Sequence, residues 1–190
     1  PVPVYASEAT LNALRYMDAV QPDTQLVAIG STPMNILGFT VYGFATSHDS
    51  AGCCGFHITT PSGATMAIAT DLGVITQEVF SHLQSAQLVA LEANYDIEQL
   101  RMGPYPYYLK KRISSSRGHL SNDDSAAAIA RLIANGCRRV ALCHLSQENN
   151  HPNLVLNSLD SALFSEGVQL PEDCVIQISR RYQTSPWIHF

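Results

Sequence analysis

Ala64-Thr65-Met66-Ala67-Ile68-Ala69-Thr70-Asp71-Leu72-Gly73 is the stretch that decides the fold. A short apolar run with β-branched residues reads as a buried strand, and this one breaks off on a carboxylate followed by a glycine. Three other runs share that grammar. Phe39 to Phe44 leads into Ser47-His48-Asp49, Gln87 to Leu91 ends on Glu92, and Arg139 to Cys143 ends on His144. In sheets flanked by helices, ligand groups collect beyond the carboxyl ends of strands. One polar residue after a strand carries no message, because loops begin on polar residues everywhere. Four such endings, all of metal-ligand or acid–base type, point to a single rim holding His48, Asp71, Glu92 and His144.

Working outward, the segment before this strand is β-rich. Ser7 caps a short helix through Met17, Leu26 to Ile29 reads as a strand, and Ile36 to Phe44 reads as one longer strand. Phe56 to Thr59 is another, and Pro61-Ser62-Gly63 turns the chain into the Asp71 strand. After it, strands and helices alternate. Thr76 caps a helix through Leu83, Asp96 to Met102 forms a short one, and Asn122 starts a third that stops at Asn135-Gly136. A helix from about Pro152 to Phe164 and a strand from Val175 to Ile178 complete the pattern. It implies an α/β (α+β) architecture with helical cover on a sheet, in a single domain over residues 1–190.

At 190 residues and 46% hydrophobic, the chain can bury a real core. Its net charge of −5 removes any global pull on nucleic acid, so such binding has to be local. No run reaches the roughly 18 apolar residues of a membrane span, and no leader pattern precedes the first strand. Five cysteines, two of them adjacent and none in a C-x-x-C pair, fit a reducing, cytoplasmic setting. The opening Pro1-Val2-Pro3-Val4-Tyr5 is already extended and has no initiator methionine, as in a domain entered partway or a processed start.

Chemistry can be assigned to three groups. His48, Asp71 and His144 form a metal set: imidazole and carboxylate suit zinc, manganese or iron, and one carboxylate can bridge two ions. Each histidine taken singly could equally be a loop residue with a satisfied ring, the reading preferred for His57 and His82. Glu92 and His119 form a second group, a carboxylate orienting an imidazole as a general acid; the alternative is that Ser121 or Asn122 matters only as a helix cap and His119 is incidental. Third, Tyr105, Tyr107 and Tyr108 interleave with Lys110, Lys111, Arg112 and Arg117. Basic side chains beside aromatic rings can track a phosphate backbone, or form the wet edge of a surface helix.

These motifs resemble a family. Ser47-His48-Asp49, Ala69-Thr70-Asp71-Leu72-Gly73, Glu92-Ala93-Asn94-Tyr95-Asp96 and Arg101 to Pro106 are similar to metallo-β-lactamase-fold proteins of the YycJ/WalJ type. Gly118-His119-Leu120-Ser121-Asn122 and His144 to Asn150 extend the likeness along essentially the whole chain. Relatives of this family include tRNase Z and a cyclic phosphodiesterase. The resemblance implies an αββα sandwich and a dinuclear metal phosphodiesterase, with DNA exonuclease activity expected in this branch. It makes His48 a ligand of one metal (zinc or manganese), His144 a ligand of the other, and Asp71 the bridge. Glu92 and His119 match the pair that protonates the leaving group.

Two departures stand out. The family reads Asn-His-Asp where this chain has Asn94-Tyr95-Asp96, and the His-x-His-x-Asp-His motif that supplies most ligands is absent. The resemblance therefore implies a C-terminal portion, with N-terminal strands missing. Such a portion is expected to bind metal weakly or not at all, to be inactive alone, and to associate through exposed sheet. Two alternatives stay open: a small-molecule cyclic phosphodiesterase, and a binding or regulatory module without catalysis.

Overall fold

The computed structural model describes residues 2–190; Pro1, the first residue of the extended opening, lies outside them. A two-stranded parallel sheet comes first, β1 (Val4–Ala6) against β2 (Leu26–Ala28), joined by α1 (Glu8–Tyr16). Helix α1 starts where Ser7 Oγ accepts the Thr10 amide, the usual satisfaction of a free helix donor. The chain then builds a seven-stranded sheet in sequence order. It runs β3 (Met34–Ile36), β4 (Phe39–Ala45), β5 (Cys54–Thr59), β6 (Thr65–Ala69), β7 (Leu88–Glu92), β8 (Arg139–Cys143) and β9 (Val175–Ile178). Five helices join the later strands: α2 (Gln77–Gln84), α3 (Ile97–Met102), α4 (Tyr107–Ile113), α5 (Asn122–Ala134) and α6 (Pro152–Ser165).

One expectation is corrected. The run from Ile36 to Phe44 is not one strand but a hairpin, because Leu37 and Gly38 both adopt positive φ (52° and 89°). Two successive left-handed residues make the tight turn whose twist suits paired strands, and Asn35 Oδ1 accepts the Gly38 amide to close it. A leucine in that position costs backbone strain and gives no turn signal in sequence.

Strand β6 is where the sheet changes character. It pairs antiparallel with β5 and parallel with β7, and β7 to β9 continue in parallel. Since β4 and β6 both run antiparallel to β5, the carboxyl ends of β4, β6, β7 and β8 emerge along one edge. That shared edge follows from strand direction alone, before any side chain is considered.

Helices α2, α5 and α6 cover one face of the sheet. Ala67, Ala69, Val89, Leu91, Val140 and Leu142 are buried under them, with Phe80, Ile129, Leu132 and Leu159 on the helix side. Alternation along each strand sends Met66, Ile68, Phe56, Ile58 and Ala141 to the opposite face, and these are only half-buried. No helix among the described residues is long and apolar enough to cross a membrane.

Two glycines let the edge close. A Cβ on Gly73 would collide with the backbone of Ser115, Ser116 and Gly118, and one on Gly118 with the carbonyls of Arg112 and Ile113. The segment after α4 thus lies directly on the Asp71-Leu72-Gly73 turn. The Gly73 amide also donates to Ser47 O (2.8 Å), and Ser47 Oγ to Ser116 O (2.5 Å), so three loops are fastened together. Gly73→Ala should therefore cost about 1–3 kcal/mol, as overpacking against unyielding backbone does, read as a lowered urea midpoint.

Candidate functional site

Five side chains meet at the carboxyl edge. His48 lies beyond β4, Asp71 beyond β6, Glu92 is the last residue of β7, His144 follows β8, and His119 precedes α5. Two of them, Asp71 and His144, stand at positive φ (55° and 58°). Non-glycine residues rarely accept that conformation, and it persists where the surroundings hold it in place.

Glu92 is completely buried and its carboxylate is saturated with donors. Oε1 accepts the Leu120 amide (2.8 Å) and His119 Nδ1 (3.1 Å); Oε2 accepts the Asp71 amide (2.7 Å) and His144 Nδ1 (2.6 Å). Burial alone would push its carboxyl up, but the bonds from His119 and His144 outweigh it and hold it below the ordinary glutamate value. Reciprocally, the bond to Glu92 lifts the His144 imidazole above its usual range, against the opposing effect of burial. Glu92 therefore orients both histidines, a double role that the sequence reading gave it only toward His119.

The tautomers follow from the partners. A carboxylate and a carbonyl can only accept, so Nδ1 carries the proton in His119 and His144, and in His48, whose Nδ1 donates to Gly118 O (2.7 Å). In each neutral ring the lone pair then belongs to Nε2. Asp71 Oδ1 sits among all three rings: 3.7 Å from His48 Nε2, 3.8 Å from His144 Nε2 and 3.8 Å from His119 Nδ1. These separations exceed a hydrogen bond. Two ligands about 2.1 Å from one tetrahedral ion stand roughly 3.4 Å apart, so the spacing suits a shared cation.

Asp71, Glu92, His119 and His144 form a donor group with one ligand atom from each residue within 4.8 Å of the others. Glu92 is the poor member of that set, because its oxygens are already occupied by four donors. His48 Nε2, by contrast, faces both Asp71 and Asp49 (3.6 Å) with no hydrogen bond of its own. A metal set of His48, Asp71 and His144 thus remains compatible with the donor chemistry, with Glu92 and His119 directly behind it.

The basic segment divides. Arg112 borders the site cavity of about 570 Å³ and is locked to Asp49 through two bonds (2.5 and 2.8 Å), which hold the Asp49 carboxyl at about 2. Lys110 and Lys111 face a separate cavity between α3 and α4, where Lys110 Nζ donates to Arg101 O (2.8 Å). Arg117 reaches only toward His48 O (3.5 Å). Tyr105 lines the site cavity, whereas Tyr107 and Tyr108 are exposed. Tyr95 lies on the floor of the α3–α4 cavity and takes no place in the histidine ring. His57 and His82 lie elsewhere, stacked on Tyr42 and Phe44 respectively. The sequence reading missed Asn94, whose amide donates to His144 O (2.8 Å), and Arg181, which lines the cavity from the far end of the chain.

No protein-family model matches the chain. It is similar to Exodeoxyribonuclease YycJ of Bacillus anthracis, 33% identical over 172 residues that cover 90% of this chain and 65% of that protein. It is also similar to Exodeoxyribonuclease WalJ of Streptococcus pneumoniae, 30% identical over 190 residues, covering 96% of this chain and 67% of that protein. The chain spans about two thirds of the length of these relatives. Among solved structures it resembles the metallo-β-lactamase-fold protein YhfI of Bacillus subtilis (TM-score 0.66, 16% identical, 94% of this chain and 62% of that one). A diphosphatase from the PhnP family gives a TM-score of 0.61 at 17% identity, over 93% of this chain and 54% of that one. The structural likenesses speak to fold alone.

Glu92→Gln should test the hub. It replaces an acceptor facing four donors by an amide that must turn donors of its own on some of them, at a cost of about 3–5 kcal/mol in urea unfolding. The pH dependence follows from the two shifts. Stability from the depressed Glu92 carboxyl is present above pH 4.5 and lost as pH falls through its lowered value. Stability from the raised His144 imidazole is complete below pH 6.5 and lost as pH rises through its raised value. The urea midpoint of the metal-free chain should gain from both between pH 4.5 and 6.5, and Glu92→Gln should flatten the profile.

Proposed function

The chain belongs to the YycJ/WalJ family of metallo-β-lactamase-fold proteins, and on that footing we propose that the whole protein is a metal-dependent phosphodiesterase that degrades DNA as an exonuclease. The observation that carries this reading is the ring of three imidazoles, each with Nδ1 engaged, gathered around Asp71 Oδ1. His48 and His144 offer Nε2 and Asp71 its carboxylate as ligands for one or two divalent ions, zinc or manganese. A divalent metal held there supplies Lewis-acid polarisation of a phosphoryl oxygen and lowers the pKa of a water.

The remaining chemistry belongs to side chains. His119 stands behind Asp71 with Nδ1 fixed on Glu92, and in its imidazolium form the ring carries a second proton on Nε2. Its Nε2 can then give a proton to the leaving alkoxide of a phosphodiester, as a general acid. Glu92 acts through His119 and His144 and is a positioning residue. Arg112, held rigid by Asp49, presents a fixed cation at the cavity rim where a phosphate would approach.

We further propose that these 190 residues are the C-terminal portion of the whole metallo-β-lactamase fold. That reading is supported by the share of the relatives' length that they span and by the half-covered sheet face of Phe56, Ile58, Met66 and Ile68. Three ligands of the matching type, His48, Asp71 and His144, would fall short of the coordination that two tightly held ions need.

In the whole protein, His119→Ala should lower turnover of a DNA substrate about 10²–10⁴-fold with elemental metal content unchanged, whereas Asp71→Ala and His144→Ala should lower the metal content itself. Metal loss in the His119 variant would make that residue a ligand and overturn its role as acid. The 190-residue chain alone should hold metal weakly, show no diester hydrolysis and self-associate in sedimentation. Two tight ions per chain with turnover would show that the ligand set is misread.

A further inference from the structure

The cavity holding the histidine ring does not end at His144. Leu145, Ser146, Gln147 and Arg181 line it, and the same four residues line a second cavity of about 370 Å³ beside it. The second cavity is completed by the start of α6 at His151 and by the segment after β9, where Arg180 and Tyr182 sit. In a chain of net charge −5, its lining contains no Asp or Glu.

The two arginines are among the five of the chain's nine that meet no carboxylate among the described residues. Arg15, Arg101, Arg112 and Arg138 each meet a carboxylate. Arg180 donates only to Gln183 Oε1 (2.8 Å) and Arg181 only to Leu145 O (3.2 Å), and neither has an ion-pair partner among the described residues. Their charge is therefore available to an anion. Beside them Tyr182 is 81% exposed, and its hydroxyl donates to Gln147 Oε1 (3.2 Å), which anchors one end of the ring while leaving its face open. Guanidinium groups next to an open aromatic face, in a cavity continuous with a phosphodiester site, match a phosphate followed by a base.

We propose that this second cavity is the subsite for the nucleotide adjoining the scissile phosphodiester, with Arg180 and Arg181 on its phosphate and Tyr182 stacked on its base. The inference rests on the phosphodiesterase reading and narrows its substrate to a DNA strand with a nucleotide beyond the scissile phosphodiester, which a small cyclic diester lacks. The other basic and aromatic surface, with Tyr107, Lys110 and Lys111, does not serve as well. Its cavity lies on the far side of α4 and shares no lining residue with the site.

Fluorescence anisotropy of the whole protein, without added metal, with a labelled single-stranded oligonucleotide and separately with the labelled mononucleotide tests the subsite. The oligonucleotide should bind more tightly than the mononucleotide. Arg180→Ala combined with Tyr182→Ala should weaken the oligonucleotide about tenfold and lower its salt slope by about one, with the circular-dichroism melt unchanged. Arg180→Lys, with Tyr182 intact, should keep the salt slope. Equal oligonucleotide affinity in the parent protein and the double variant overturns the subsite. So does an oligonucleotide bound no better than the mononucleotide, and that result leaves the histidine chemistry to its own turnover and metal tests. A whole protein that binds neither probe overturns the DNA reading and the subsite with it.

Discussion

Everything at the carboxyl edge of the sheet hangs on one buried carboxylate. Removing a charged glutamate from water is costly, and only a full complement of hydrogen bonds offsets the cost. Glu92 obtains that complement from four donors on three separate parts of the chain: the turn after β6, the loop before α5 and the end of β8. The same bonds that stabilise the charge fix where Asp71, His119 and His144 can be. Folding energetics and site geometry are therefore one arrangement, and a change at Glu92 cannot alter one without the other.

Backbone strain is concentrated where that arrangement needs it. Asp71 and His144 each leave a strand through a left-handed residue, so each chain turns sharply at the residue that carries the functional group. Such a conformation costs about 1–3 kcal/mol per residue and survives only when over-determined by its surroundings. The Asp71 amide bonded to Glu92 and the Asn94 amide bonded to His144 O supply part of that restraint. Close packing of Gly73 and Gly118 supplies more, because no side chain separates those two turns.

The strand-end pattern was legible in sequence because it rests on local rules. An apolar run gives a strand, and a parallel arrangement puts the ends together, so His48, Asp71, Glu92 and His144 could be picked out from punctuation alone. Two caps were equally plain, Ser7 and Thr76, each accepting a backbone amide at the start of a helix; Asp96, read as part of its helix, and Ser121, left open against Asn122, do the same. What stayed hidden depends on three dimensions. Leu37-Gly38 makes a hairpin without a hairpin signature. The Tyr105–Arg117 segment splits across the faces of α4, sending Arg112 toward the site and Lys110 and Lys111 away from it. Arg181 is brought in from the far end of the chain by the parallel pairing of β9 with β8, which no motif spacing announces.

Alternation along β7 adds a last constraint. Val89 and Leu91 point into the helix-covered core, so Leu88, Ala90 and Glu92 point to the other face, where Met66, Ile68 and Ala141 are neighbours in register. The Glu92 carboxylate and its histidines therefore belong to the side of the sheet that α2, α5 and α6 do not cover. Along most of that side the apolar residues are only half-buried, whereas Glu92 at its rim is fully buried by the loops of Asp71 and Leu120. Met66, Ile68, Ala90 and the Glu92 rim therefore form one continuous side of the sheet.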